Sequence, residues 1–203
     1  MNSLDRLSAV KLREALGQCT IGREVIVLEE TTSTNDSVLE RTSTSTPEGL
    51  VVFAERQTAG RGQRGNRWES AAQKGLCLSI LLRPRIDISK SAELTAWAAN
   101  IIAQSISERF ALPAKIKLPN DVIIDGKKVG GVLVEMRAQK NAPHFAVLGV
   151  GINLNHSAKD LPEELHSRAI SLSMLLNRHV DREEFAVTLL RNLNRTYRET
   201  FSS

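Results

Sequence analysis

Asp125-Gly126 lies between two runs of strand character, about 121–124 and 128–137. An Asp-Gly pair accepts the positive φ angles of a tight hairpin turn, so this stretch is expected to fold as two adjacent antiparallel strands. Further strands are read at 24–28, 50–55, 76–83 and 145–154. Helical periodicity is read over 4–16, with Leu4, Leu7, Leu12 and Leu16 on or near one face. A short helix at about 36–41 starts after Ser33, Thr34 and Asn35, and a long one at about 92–110 turns Leu94, Trp97, Ala98, Ile101 and Ile102 inward. Two more follow, about 170–177 and 182–201, the second opened by the capping pair Asp181 and Glu184. Together these elements predict an α+β fold: a mixed, mainly antiparallel sheet with helices packed on one face. The 203 residues suffice for one core, so a single domain over 1–203 is expected.

Composition excludes several classes of protein. With 41% hydrophobic and 25% charged residues the chain reads as an ordinary soluble domain. No apolar run approaches the roughly 20 residues a membrane span needs. The N-terminal MNSLDRLSAVKLREAL lacks the apolar centre of a secretion signal, which points to the cytoplasm. Cys19 and Cys77 form no paired motif, and Cys77 in LCLSILL reads as a core residue in a reducing compartment. His144, His156, His166 and His179 show no metal-ligand spacing and are expected to be solvated. The net charge of +4 is modest, and no recognition helix or aromatic-basic sheet face is evident, so no nucleic-acid partner is expected.

The chemistry concentrates in three segments. Residues 57–68, QTAGRGQRGNRW, interleave Gly60, Gly62 and Gly65 with Arg61, Arg64 and Arg67 and end on Trp68. Glycines free the backbone to present N–H groups, arginine forks suit phosphate or carboxylate oxygens, and an indole offers a face to a purine. The same glycines satisfy G-x-G-x-x-G, but a dinucleotide fold needs a helix directly after them, and the polar run that follows has no helical periodicity. The second segment runs from Lys117-Leu118-Pro119-Asn120-Asp121 to Gly126-Lys127-Lys128-Val129-Gly130-Gly131. Its paired glycines within a strand imply a bulge or the close approach of a ligand, and one of the two lysines is expected to point inward. In the third, Gly149-Val150-Gly151-Ile152-Asn153, two glycines and an amide close a strand. No Ser–His or Cys–His nucleophile pair is recognisable.

In order along the chain, Ser33-Thr34-Asn35, Ala54-Glu55-Arg56-Gln57 with the Gly/Arg loop, KLPNDV, KKVGGVLVE and GVGINLN resemble the biotin protein ligases. The resemblance covers about 24–155 and continues more weakly to the end. It implies a reaction in which biotin and Mg-ATP give biotinyl-5′-AMP, from which biotin passes to a lysine of a biotin carboxyl carrier protein. It further implies that Ser33, Thr34, Asn35 and Gln57 bind the biotin head, and that Gly60, Arg61 and Gly62 cover its carboxylate and the α-phosphate. On the same footing Gly130 and Gly131 admit the biotin tail, while Arg64, Trp68, Lys117, Asn120 and Asn153 serve the nucleotide and Asp121 the magnesium. Lys128 stands at the family's key lysine position, bridging carboxylate and α-phosphate, with Arg61 as the second catalytic cation.

The chain departs from the family pattern at Gln63 and Asn66, where arginine is frequent, and at Leu118, where tryptophan is usual. The first two suggest a less tightly held adenylate unless Arg64 or Arg67 compensates; the third suggests altered packing. Neither an N-terminal helix-turn-helix domain nor a C-terminal β-barrel domain is read, so a naturally minimal form or a fragment is expected, with a weak or ligand-promoted homodimer. Two alternatives stay open: a lipoate or octanoate ligase or transferase of the same fold class, and a binding protein without catalysis.

Overall fold

The computed structural model describes residues 5–69, 71–139 and 142–201. Its centre is a seven-stranded sheet: β1 (Glu24–Thr31), β2 (Leu50–Gln57), β3 (Gly75–Leu82), β4 (Lys115–Lys117), β5 (Asp121–Ile124), β6 (Lys127–Gln139) and β7 (Ala142–Asn153). The order across the sheet is β1-β2-β3-β7-β6-β5-β4. Only β1 and β2 pair in parallel; every other neighbour is antiparallel. The mixed, mainly antiparallel α+β class read from the sequence therefore holds, and the Asp125-Gly126 turn joins β5 to β6 as expected.

Strand alternation sorts the side chains into two faces. Val51 and Phe53 of β2, Leu78 and Ile80 of β3, and Leu148 and Val150 of β7 enter the large core. That core is completed by α1 (Ala9–Leu16), α3 (Ser91–Phe110) and α5 (Arg182–Phe201). The short helix α2 (Thr34–Arg41) takes the opposite face, where its Val38 packs with Leu50, Val52, Leu81 and Val147. It covers only part of that face, and the remainder carries Cys77, Ser79, Gly149 and Gly151, at positions alternating with those of the core. This half-covered face is where the site forms.

Several boundaries differ from expectation for local reasons. The first helix begins at Ala9 and not at residue 4, and Leu4 lies outside the described residues. Ser8 caps it, while the backbone N–H groups of Leu7 and Ser8 donate to the Glu55 and Glu183 carboxylates. The extended backbone of Ser8, φ −112° and ψ 116°, starts the helix after it, and residues 5–8 form a strap held at Leu7 and Ser8. At the far end α5 begins as predicted, with Glu184 N–H donating to Asp181 Oδ1 at 2.8 Å. The fourth helix, α4, is shorter than read, Leu172–Leu176, because the Ser171 hydroxyl caps it. Among the described residues no helix is long and apolar enough to cross a membrane.

Candidate active site

The floor of the site is a patch of glycines set by strand register. Gly151 pairs with Cys77 on one side and Gly131 on the other; Gly149 pairs with Ser79 and Leu133. Each of three glycines receives a side chain from a different element. A Cβ at Gly149 would lie 2.3 Å from Asn35 Oδ1 of α2, and one at Gly151 would lie 2.4 Å from Trp68 Cε2. At Gly131 it would lie 3.1 Å from Lys128 Nζ. Contacts under 3 Å exclude a methyl group without displacement, so the glycines seat an amide and an indole flat on the sheet.

Lys128 reaches this face through a β-bulge. Ile123 pairs with Lys128 but Val122 pairs with Gly130, which leaves Val129 as the extra residue. Gly130 and Val132 face the large core, and unbroken alternation would send Lys128 there as well. The inserted residue reverses its facing. Its ammonium then lies 2.6 Å from Asp121 Oδ1 and 5.6 Å from the centre of the Trp68 ring. Lys127 faces away and donates to the His166 carbonyl. Of the two lysines weighed in the sequence, Lys128 is the inward one.

The Gly/Arg segment is a small hairpin hung over the floor. Trp68 N–H donates to the Gly60 carbonyl, Arg61 and Arg67 form a bridge, and Gly62 N–H donates to the Asn66 carbonyl. At its tip Arg64 takes a left-handed φ of 57°, as does Gly65 at 78°. Among the described residues no α-helix follows the glycines before β3, in agreement with the rejected dinucleotide reading.

Two cavities flank Trp68. The first, about 40 Å³, is lined by Ser33, Thr34, Asn35, Gln57, Arg61, Gly62, Trp68, Asn120, Lys128 and Gly131, together with Gly149 and Gly151. Its polar end is one connected network. Thr34 N–H and hydroxyl donate to Gln57 Oε1, and Ser79 Oγ lies 2.7 Å from Thr34 Oγ1 and 2.5 Å from Asn35 Oδ1. Asn35 Nδ2 donates to Glu135 Oε2 at 2.7 Å, and Arg61 Nη2 reaches both Glu135 Oε2, at 2.9 Å, and Asp36 Oδ1, at 2.7 Å. The second cavity, about 390 Å³, is lined by Trp68, Lys117, Asp121, Lys128 and Asn153, with Arg67, Leu161, Leu165, Arg168 and Ala169 added. Asn153 is buried and its amide donates to the Ile170 carbonyl. Lys128 and Trp68 line both cavities.

Most of the residues assigned to biotin or nucleotide in the sequence therefore converge, but three of those are not brought to either cavity. Gly130 faces the core, where a Cβ would meet Gly151 O and Ile152; its smallness serves sheet packing and not a ligand. Gly60 is set back at the hairpin root, where a Cβ would lie 2.5 Å from the Trp68 carbonyl oxygen. Arg64 lines a separate recess of about 220 Å³ beside Leu118, Pro119 and Lys128. Leu118 is 75% exposed beside the recess that Arg64 lines, so the departure there bears on surface packing and not on the core.

Other participants escaped the sequence reading. Ser79 and Glu135 lie on strands that read as core elements; the signal was a lone polar residue alternating out of phase with the apolar ones. The segment 155–170, which closes the second cavity, showed no motif at all. At its root His156 is buried, contrary to the expected solvated state, with its ring against Gly75 and neither ring nitrogen partnered. His144 is half-buried and its Nε2 also lacks a partner, whereas His166 and His179 are exposed as expected. Burial pushes the His156 imidazole down to about 4, helped by Lys74 and Arg182 and opposed by Asp160.

Comparison with known proteins agrees with this geometry. The family model for the biotin/lipoate A/B protein ligase family matches residues 27–153. The bifunctional ligase/repressor BirA of Bacillus subtilis (strain 168) is 35% identical over 194 residues, 96% of this chain and 60% of that protein. The biotin--[acetyl-CoA-carboxylase] ligase of Mycobacterium tuberculosis is 34% identical over 204 residues, 95% of this chain and 73% of that protein. Among solved structures, the biotin protein ligase from Aquifex aeolicus in complex with biotin and ATP superposes with a TM-score of 0.71 at 30% identity, over 87% of this chain and 72% of that one. The chain thus spans about 60% of the length of its Bacillus relative.

Proposed function

This chain belongs to the biotin/lipoate A/B protein ligase family, and from that membership we propose that it activates biotin with ATP and transfers biotin to a lysine of a biotin carboxyl carrier protein. The observation that carries the reading is the position of Lys128, whose side chain lines both cavities at their junction. The first cavity suits a polar head because Thr34, Asn35, Gln57 and Ser79 arrange donors and acceptors at its end. The second is within the usual size of a small-molecule site, about 300–1,000 Å³, and carries cations, Lys117, Arg67 and Arg168, beside an indole.

In the first step a carboxylate oxygen of biotin attacks the α-phosphorus of ATP, the P–O bond to the β-phosphate breaks, and pyrophosphate leaves. Two anions must meet, and charge builds on the α-phosphate oxygens, so a fixed cation at the junction lowers the barrier most. Lys128 supplies it, its direction held by Asp121 at 2.6 Å and by the Trp68 ring. Asp121 and Glu69 are the carboxylates on the wall of the second cavity. One or two carboxylates with the phosphates suffice for magnesium, so these residues fit an ion arriving with ATP, which would neutralise phosphate charge. In the second step the acceptor amine attacks the acyl carbon, the C–O bond to AMP breaks, and the amine loses its proton. Arg67 on the wall of the second cavity supplies charge near the adenylate in place of the arginines absent at 63 and 66.

ATP–pyrophosphate exchange with magnesium and biotin, lipoate or octanoate in parallel tests the reading. Exchange with biotin alone is expected, and its loss in a folded Lys128→Ala protein by at least about 100-fold, the scale of removing one positioned transition-state donor. Exchange supported by a lipoyl or fatty acid would move the chain to the neighbouring activity. Biotin binding with no exchange would leave a binding protein.

A further inference from the structure

Ser79 lies at the centre of the polar network without lining either cavity, and it is wholly buried. Its Oγ is 2.5 Å from Asn35 Oδ1 and 2.7 Å from Thr34 Oγ1, and it has one hydrogen to give. Asn35 decides where that hydrogen goes. Its Nδ2 donates at 2.7 Å to Glu135 Oε2, a carboxylate that also accepts from Arg61 and Arg137, and an ionised carboxylate only accepts. The amide is thereby fixed with Oδ1 towards Ser79, and this oxygen takes the Ser79 hydrogen. The Thr34 hydrogen is then shared between two acceptors, Ser79 Oγ at 2.7 Å and Gln57 Oε1 at 3.1 Å. Gln57 is fixed in turn, because the Thr34 N–H donates to its Oε1 at 2.8 Å. The hydrogens from Thr34 through Ser79 and Asn35 therefore run towards Glu135, and the side-chain oxygens of Thr34 and Gln57 are left to meet a ligand in the first cavity as acceptors.

We propose that Ser79 and Glu135 are positioning residues that fix this order of hydrogen bonds, so that the polar end selects a head group carrying N–H donors, such as a cyclic urea, over an isostere that brings lone pairs. A site whose polar groups are committed as acceptors rejects the isostere because two oxygens are then left facing each other without a hydrogen. That the head is biotin's rests on the function proposed above; the order of the hydrogen bonds does not. Glu135 acts here at a distance, through an amide and a hydroxyl that stand between it and Thr34.

Titration calorimetry compares biotin with the two cyclic carbamates in which one or the other ring N–H is replaced by oxygen, a change of hydrogen bonding at nearly constant shape. Wild type is expected to bind at least one carbamate about tenfold more weakly than biotin. In Ser79→Ala the Thr34 hydroxyl loses its nearer acceptor and can turn its hydrogen to the ligand, so this gap is expected to shrink by roughly three- to tenfold. Glu135→Leu releases the Asn35 amide to flip, and the gap is expected to shrink in the same direction. All three ligands carry the same tail and carboxylate, so a change at Arg61 or a loss of packing weakens them alike and cancels in the ratio. Circular dichroism melting establishes that each variant is folded, and either variant suffices if the other does not fold. In the unliganded protein the Asn35 side-chain amide signals, followed by ¹⁵N NMR, are expected to shift in both variants. Folded variants that keep the wild-type ratio within about twofold, or that leave the Asn35 amide unmoved, would overturn the proposal. Failure of biotin to bind the wild type, with the amide signals moving as expected, would overturn the functional reading and leave the hydrogen-bond order standing.

Discussion

His156 shows how far a single residue can depart from what its neighbours in the chain suggest. It lies just beyond a strand read to end at 154, where a solvated loop residue is expected, yet it is 2% exposed beneath the root of the segment closing the second cavity. The burial comes from Gly75 on β3, which lies far away in sequence and has no side chain to keep the ring out. Its folded-state pKa of about 4 lies below the ordinary 6.5, so the folded protein keeps the ring neutral while the unfolded chain takes up a proton first. The associated stability is present in full above about pH 6.5 and is lost as pH falls towards 4. The loss is at most about 3 kcal/mol. Thermal melts between pH 7 and 4 are expected to show this decline and to flatten in His156→Leu; an equally steep decline in that variant would assign it to other groups. Lys128, by contrast, was legible in advance: its glycine-flanked motif left two lysines open, and the family resemblance pointed to this one.

At the scale of elements, register decides what composition cannot. The alternation of β6 was readable from Val132 and Val134 against Leu133 and Glu135, but the bulge at Val129 depends on pairing with β5 and determines whether Lys128 faces the core or the two cavities. The glycines of β7 were noticed as thin backbone; that Gly149 takes Asn35 and Gly151 takes Trp68 follows from helix and hairpin placement. Gly151→Ala therefore tests the hairpin's seat. A Cβ there would overlap the indole, so Trp68 has to lift, while β7 itself can accept an alanine. Of the two tryptophans, Trp97 is half-buried against Tyr197 and Phe201 on the other face of the sheet and is expected to report no change. A red shift of the fluorescence is expected from Trp68 in Gly151→Ala, with accelerated trypsin cleavage of the hairpin; unchanged emission and cleavage would mean the seat is not used in solution.

Across the whole molecule, one buried ion pair joins the parts that lie furthest apart in sequence. Arg182, at the start of α5, meets Glu55 of β2 at 2.7 Å, with side chains 1% and 3% exposed. The same guanidinium donates to the Gly75 and Asp5 carbonyls, and Glu55 accepts from Leu7 N–H. The Glu55 carbonyl also accepts from Gln73 N–H, so the chain on the two sides of the Gly/Arg hairpin meets at Glu55. Removing one partner strands a charge in the interior, and Arg182→Met is expected to destabilise the protein by about 3–5 kcal/mol. For a chain of this size that is a fall in Tm of roughly 6–20 °C. Adding Glu55→Gln, which keeps an acceptor for Leu7 but removes the stranded charge, is expected to recover part of it; no recovery in the double variant would show that packing rather than charge was lost.

The local signals sufficed for the element types, the antiparallel hairpin, the α+β class and the set of segments that carry chemistry, because hydrophobic period, turn residues and caps act within a few residues of one another. Tertiary structure decided the parity of Lys128, the burial of His156, the roles of Ser79 and Glu135, and the strap at residues 5–8. Apart from the bulge, each of these depends on a partner brought in from a distant part of the chain: a glycine under an imidazole, a carboxylate shared between an amide and an arginine, two carboxylates, Glu55 and Glu183, that each claim one backbone N–H of the strap. No window along one sequence contains those partners, since register and burial are properties of the packed pair and not of either strand alone.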